Sequence, residues 1–220
     1  MLDTKNILAH RGYWTEKKQQ NTYQSFKDAL DRGFGIETDF RDYDGKIFVS
    51  HDCITQDQLS DLVSLEQFLE LVAKYDNPKI ACNVKSDGLL NFFKETFLNF
   101  EVNLKSFVFF DMSIPQQYLF SQSKFSTWSR LSEFENITNN PLQSQGYWID
   151  GFQSDLAIME HLENVQYTDL ELVIVSSELH GRNPDELWDF LRAANLQKRE
   201  NWYLCTDWPD SAVKYFGEYE

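Results

Sequence analysis

Short runs of apolar and β-branched residues alternate along this chain with longer stretches whose apolar positions recur every three or four residues. The first pattern is that of a strand buried on both faces, the second that of a helix with one buried side. Strands are predicted at Ile7–Arg11, Gly35–Asp42, Lys46–His51, Lys79–Lys85, Ser106–Asp111, Phe125–Arg130, Gly146–Gln153, Leu170–Ser177 and Trp202–Thr206. Helices are predicted near Thr22–Arg32, Leu65–Tyr75, Leu89–Phe100, Pro115–Ser121, Asp155–Glu163 and Pro184–Leu196. Asp44-Gly45 between two strand-like runs is a hairpin signal. Asn183 before Pro184 marks a helix start with proline at the first helical position.

Strand–helix alternation builds a parallel sheet. Eight principal strands remain once Lys46–His51 is taken as a hairpin return. The count predicts an α/β chain of one (β/α)8 barrel over residues 1–220, with a short hairpin extending the second strand. An open doubly wound sheet is the alternative, but no Gly-rich phosphate loop follows the first strand.

A barrel gathers its working residues at the C-terminal ends of its strands. Here those ends carry His10 and Arg11, then Glu37, Asp39 and Arg41, then Asn83 and Lys85, then Asp111, Trp128 and Arg130. Glu178, His180 and Arg182 follow the seventh strand and Asp207 the eighth. Glu37 and Asp39 are two apart on one strand, so both side chains face the same way while Ile36, Thr38 and Phe40 face the helices. Two buried carboxylates on one face need a cation, a shared proton or salt bridges. A hard divalent ion answers this through oxygen ligands; ion pairs with Arg41 and Lys85 answer it without one. His10 and His51 each end a strand-like run, and the hairpin returns His51 toward the same mouth, a placement suited to an acid/base pair. Asn83 and Lys85 form a second same-face pair. His180 and Arg182 sit where βα loops build specificity, or they merely belong to the loop before the next helix. His161 lies in a polar helical stretch and is expected at the surface.

The balance of 20 basic against 35 acidic residues, a net charge of −15, excludes the basic footprint of a nucleic-acid binder. It also disfavours anionic membrane surfaces. An anionic substrate would need local cations or a metal to overcome this field. No apolar run reaches the ~18 residues of a membrane helix, and the first ten residues do not have the form of a secretory signal. Cys53, Cys82 and Cys205 are far apart without metal-type spacing, which predicts buried free thiols in a reducing, cytoplasmic setting. Nothing in the pattern specifies an oligomer.

His-Arg-Gly at 10–12, Asn-Thr with Ser-Phe and Ala within 21–29, Ile-Glu-Thr-Asp at 36–39, Asp-Gly at 44–45 and His-Asp at 51–52 stand in the order and spacing of the glycerophosphodiester phosphodiesterase family. Asn83-Val84-Lys85 sits where that family usually has Glu-x-Lys, and Thr206-Asp207-Trp208-Pro209 resembles its Thr-Asp-x-Pro. The strong part spans about residues 7–52. The resemblance implies a (β/α)8 barrel that hydrolyses a small phosphodiester to an alcohol and a phosphomonoester, in lipid and glycerol metabolism. It implies one divalent cation, Mg²⁺ or Ca²⁺, on Glu37, Asp39 and Asn83. His10 and His51 become general acid and base, and Arg11 and Lys85 phosphate contacts. Such an ion with Arg11 and Lys85 would offset the acidic field at one spot.

Three positions depart from the family pattern. Asn83 replaces an acidic ligand, which keeps a coordinating oxygen but removes one charge. Gln19-Gln20 replaces Pro-Glu. Only 31 residues separate His51 from Asn83, where the family commonly inserts a cap, so that insertion is reduced or absent and the pocket more open. Two alternatives stay in view: phospholipase-like action on an intact lipid headgroup by a related barrel, and a non-catalytic barrel that binds a phosphorylated ligand.

Overall fold

The computed structural model describes residues 3–136 and 142–217. In chain order it contains β1 (Ile7–His10), α1 (Tyr23–Asp31), β2 (Gly35–Tyr43), β3 (Lys46–Val49), α2 (Leu65–Val72), β4 (Ile80–Val84), α3 (Leu90–Phe97), β5 (Phe107–Phe110), α4 (Ile114–Ser121), β6 (Ser126–Leu131), β7 (Gly146–Ile149), α5 (Asp155–Val165), β8 (Glu171–Val175), α6 (Asp185–Ala193), β9 (Trp202–Thr206) and α7 (Pro209–Gly217). Eight of the strands are parallel neighbours around a closed ring, shut by β1 pairing with both β9 and β2. The predicted (β/α)8 barrel is what forms. β3 lies outside the ring, antiparallel to β2, as the hairpin return.

Strand parity divides the apolar residues into two layers. Ile36, Phe40, Ile80, Cys82 and Phe109 face outward against helix residues such as Phe26, Phe68 and Phe93. Edge-to-face rings tie this layer together, with Phe93 4.9 Å from Phe109 and 5.6 Å from Phe40. Leu8, Ala81, Val108, Phe110, Trp128, Trp148, Val173, Val175 and Cys205 fill the barrel. Phe110 and Trp148 stack at 4.0 Å there, closing the interior beneath the C-terminal mouth. Each fully buried ring of this size contributes roughly 1.5–3 kcal/mol. Trp128, expected among the polar strand ends, belongs to this filling. At the opposite end Glu171 accepts from Lys79 at 2.6 Å, Trp128 Nε1 at 2.9 Å and Gln145 at 2.8 Å, a partly buried polar plug of the stabilising face.

Several boundaries differ from expectation for local reasons. β7 stops at Ile149 instead of Gln153 because the amides of Phe152, Gln153 and Ser154 donate to the Glu133 carboxylate at 3.1, 2.9 and 3.1 Å, not to a neighbouring strand. β3 ends at Val49, and His51 lies beyond it. α7 has no counterpart among the expected helices, although Pro209 opens it and Ala212 and Phe216 bury one side. α6 starts one residue later than expected, with Pro184 and not Asn183 at its N-cap; Asn183 lies just before it and its side-chain oxygen accepts from the Asp185 amide at 3.1 Å. His161 is not at the surface: it is buried on α5 and Nε2–H donates to the Ser132 carbonyl at 2.9 Å. Cys82 and Cys205 are buried, but Cys53 is exposed. Between β3 and β4 the chain holds one short 3-10 turn at Gln56–Gln58 and α2, in keeping with a reduced cap. Among the described residues, no helix is long and apolar enough to cross a membrane.

Candidate active site

The site begins with a turn. After β1 the chain reverses through Arg11 and Gly12, both with positive φ (58° and 87°). A Cβ on Gly12 would lie 2.5 Å from Ser25 Oγ and 2.7 Å from the Ser25 carbonyl carbon, so only glycine fits. Ser25 belongs to the capping box of α1, in which the Thr22 side chain accepts from the Ser25 amide at 3.2 Å. This packing delivers Asn21 to the mouth. Its Nδ2 donates to Asp39 Oδ2 at 2.9 Å, and its Oδ1 accepts from Thr38 Oγ1 at 3.0 Å. The Asn-Thr-x-x-Ser segment thereby starts a helix and holds a site carboxylate.

A pocket of about 290 Å³ opens at the C-terminal mouth. Of the predicted site residues, His10, Arg11, Glu37, Asp39, His51, Asn83, Lys85 and His180 line it. Arg182 does not. Its Nη2 donates to the Gly151 carbonyl at 2.6 Å and Asp155 Oδ1 at 2.8 Å, and Nη1 to the Phe152 carbonyl at 3.2 Å. It fastens the β7–α5 loop because that loop offers outward carbonyls that a forked guanidinium can reach.

Glu37 and Asp39 are both buried and face the barrel axis. Asp39 is the compensated one. Lys85 Nζ lies 3.2 Å from Oδ1 and Arg11 Nε 3.1 Å from Oδ2. Burial alone would raise its pKa, but Lys85, Arg11 and the Asn21 hydrogen bond outweigh this and lower it. Glu37 is left without such partners. Burial and then the charge of Asp39 push its carboxyl up to about 7. The ion pairing expected from Arg41 does not form; Arg41 donates to the His51 carbonyl at 3.1 Å. Its place is taken by Arg11.

His10 Nδ1–H donates to Asp207 Oδ1 at 2.6 Å, which turns Nε2 toward Glu37 Oε2 at 3.8 Å. Burial works against the imidazolium, yet the Asp207 bond and the charges of Glu37 and Asp207 raise its pKa overall. His51 stands on the open side, half exposed, with Nδ1 2.9 Å from Asp52 Oδ1. Asp111, Arg130, Asp150 and Phe152 also line it, above a floor that includes Trp148, Val175 and Leu179, and none of the four is among the expected site residues. Asp111 accepts from Lys85 at 3.4 Å and also from Arg130, and Asp150 Oδ1 is 2.7 Å from His180 Nε2. Position at strand ends was the available signal for Asp111 and Arg130. Asp150 shares barrel-facing parity with Trp148.

The arrangement can therefore meet a phosphoryl group with Arg11 and Lys85, bring the imidazoles of His10 and His51 to the same pocket, and offer oxygen ligands from Glu37, Asp39 and Asn83 to a hard cation.

No protein-family model matches the sequence, and no curated protein matches it. Solved structures are. A glycerophosphodiester phosphodiesterase from Parabacteroides distasonis is similar with TM-score 0.73 and 19% identity, over 99% of this chain and 98% of that one. A phosphodiesterase from Oleispira antarctica, solved with its product sn-glycerol-3-phosphate, is similar with TM-score 0.70 and 13% identity, over 99% and 98%. A glycerophosphodiester phosphodiesterase from Agrobacterium tumefaciens follows with TM-score 0.63 and 15% identity, over 93% and 97%. At these identities the likeness establishes a shared fold along the whole barrel.

Proposed function

We propose that this barrel is a phosphoric diester hydrolase of the glycerophosphodiester phosphodiesterase type, cleaving a glycerophosphodiester or related small diester to an alcohol and a phosphomonoester. The observation that carries the reading is the convergence, in one pocket, of His10 backed by Asp207, of His51, and of the Arg11–Asp39–Lys85 ion pairs. The whole-chain likeness to three solved phosphodiesterases supports it.

A divalent cation, Mg²⁺ or Ca²⁺, belongs to the proposal. Two buried acceptors, Glu37 Oε2 and Asn83 Oδ1, find no hydrogen-bond donor among the described residues. Each such atom costs about 1–3 kcal/mol when unmet, and oxygen acceptors of this kind fit a hard cation. Among the described residues no group of three His, Cys, Asp or Glu forms a ligand set; here the third oxygen is the side-chain amide of Asn83. Glu37, Asp39 and Asn83 would hold the ion. When bound, it supplies electrophilic polarisation of the phosphoryl oxygens.

The chain's own residues do the rest. Arg11 and Lys85, already oriented by Asp39, neutralise non-bridging oxygens and fix the phosphorus near both imidazoles. His10 and His51 divide the two proton transfers, one from the attacking hydroxyl group and one to the leaving alkoxide. Asp207 fixes the His10 tautomer so that Nε2 is the nitrogen presented to the pocket. The thiol of exposed Cys53 and the buried thiols of Cys82 and Cys205 are unpaired, which supports a reducing compartment such as the cytoplasm.

Turnover of a panel of glycerophosphodiesters with added Mg²⁺ or Ca²⁺ tests the reading, with activity lost on chelation. Full turnover after exhaustive chelation removes the cation from it. A second reading, a non-catalytic barrel for a phosphorylated ligand, is favoured by Asn83 alone; saturable binding of sn-glycerol-3-phosphate without turnover of any diester would select it.

A further inference from the structure

The sheet ends one residue before the carboxylate on which the His10 pair depends. The last register partners of β9 are Ala9 with Thr206 and Val175 with Cys205, so Asp207 is the first residue past the ladder. Its amide donates instead to Glu178 Oε1 at 3.0 Å. The same oxygen accepts from the Thr206 hydroxyl at 2.5 Å. The other oxygen, Oε2, accepts from the Ser176 hydroxyl, which itself accepts from Trp188 Nε1 at 2.8 Å. Ser176 and Thr206 are fully buried. Thr206 Oγ1 in turn accepts from the Trp208 amide at 3.0 Å.

One carboxylate, carried on the 3-10 turn Ser177–His180 after β8, thus takes over where the parallel ladder stops. It binds the backbone on the β9 side and is itself held through Ser176 by an α6 indole. Downstream of this anchor is a single 2.6 Å contact between residues 197 apart in sequence, Asp207 with His10.

We propose that Glu178 is the positioning residue of the His10–Asp207 pair. It touches neither the pocket nor the imidazole. It fixes the Asp207 backbone, and Asp207 fixes the ring. The proposal rests on the phosphodiesterase reading only for its kinetic consequence. The geometric consequence, a held Nδ1–H on His10, stands without it. A ring displaced by about 1 Å from productive geometry loses about 10²-fold in rate.

The test uses the full chain with ¹⁵N-labelled histidine. The strongly hydrogen-bonded Nδ1–H of His10 gives a low-field proton resonance, identified by its absence from His10→Gln. Glu178→Gln retains one carbonyl oxygen for Thr206 and Asp207, so the resonance stays and kcat falls no more than about three-fold. Glu178→Ala removes the anchor, and Glu178→Asp keeps the charge but shortens its reach. Both lose or shift the resonance and lower kcat by roughly 10- to 100-fold with KM little changed. If Glu178→Ala fails to fold, Glu178→Asp decides. A shortened or truncated variant that loses thermal stability but keeps the resonance and kcat overturns the proposal, because the residue is then merely structural. Loss in Glu178→Gln equal to that in Glu178→Ala also overturns it, because charge and not placement is then responsible. If the wild-type protein turns over no diester, the resonance still decides the role of Glu178, and the functional reading fails separately.

Discussion

Asn83 points its side-chain Nδ2 at Glu37 Oε1, 3.4 Å away across the β2–β4 pair, and its own Oδ1 meets no donor among the described residues. The amide is thus a weak partner to a carboxylate that burial already disfavours. Replacing it with a third carboxylate changes the balance. Asn83→Glu is expected to tighten Mg²⁺ or Ca²⁺, since affinity for hard cations rises with ligand charge. The same change should destabilise the metal-free protein, because three buried carboxylates then share Arg11 and Lys85. Titration calorimetry and thermal melts in chelator check both. Unchanged affinity would place residue 83 outside the cation site.

Three histidines separate by what surrounds them. His10→Ala and His51→Ala are each expected to lower kcat by roughly 10²–10⁴, the usual loss for a positioned acid or base. His161 is different, since its buried Nε2–H satisfies the Ser132 carbonyl. His161→Ala leaves that acceptor unmet and should cost about 1–3 kcal/mol of stability with kcat preserved. Kinetics and urea denaturation of the three variants distinguish the roles. Equal small effects on kcat from all three would make the strand-end histidines structural.

Most of the barrel was legible because its strands are apolar on both faces and its helices amphipathic, two periods that survive in a single sequence. Parity gave the inward set Glu37, Asp39, Asn83 and Lys85 directly. What parity cannot give is pairing across the ring. That Asp39 is compensated by Arg11 and not Arg41, and that Asp207 serves His10, depends on a closed sheet bringing β9 beside β1. The polar neighbourhood of His161 on its helix points to the surface, and the buried hydrogen bond to the Ser132 carbonyl leaves no trace in the sequence pattern. The pattern carries β7 past its true end because a side-chain acceptor, Glu133, takes three successive amides that a neighbouring strand would otherwise bind.

The pH dependence of stability follows from Glu37. Its carboxyl is raised from 4.5 to about 7 by burial and by Asp39. A raised carboxyl favours the folded state below the unfolded pKa, and that contribution is lost as pH rises through the folded value. Between about pH 4.5 and 7 the metal-free protein should therefore lose roughly 2–4 kcal/mol from this group. His10, also raised, adds loss in the same direction from near 6.5 upward. Asp39, lowered, acts oppositely and only at acid pH, where protonation removes its ion pairs. Melts in chelator across this range should show the fall, and Glu37→Gln should flatten it. A wild-type profile that rises from pH 5 to 7 would mean that Glu37 is ionised and compensated in the folded chain.

His180 and Arg182 form a pair that the sequence treats alike and the fold separates. His180 faces the pocket, its Nε2 2.7 Å from Asp150 Oδ1 and its ring edge-on to Phe152 at 5.5 Å. Arg182 instead reaches the carbonyls of Gly151 and Phe152 and the carboxylate of Asp155. With Glu133 on the amides of residues 152 to 154, it pins the loop that carries Asp150 and Phe152 to the mouth. His180→Ala should therefore raise KM while changing kcat less than roughly ten-fold, the behaviour of a contact made equally to substrate and transition state. Arg182→Ala removes charge-assisted hydrogen bonds from a partly buried guanidinium and should cost about 1–3 kcal/mol of stability. Arg182→Lys should rescue little, because an ammonium lacks the fork that spans several oxygens. Steady-state kinetics beside thermal melts separate the two residues. If Arg182→Ala melts like wild type and raises KM as His180→Ala does, its side chain meets the substrate and the loop is held by Glu133 alone.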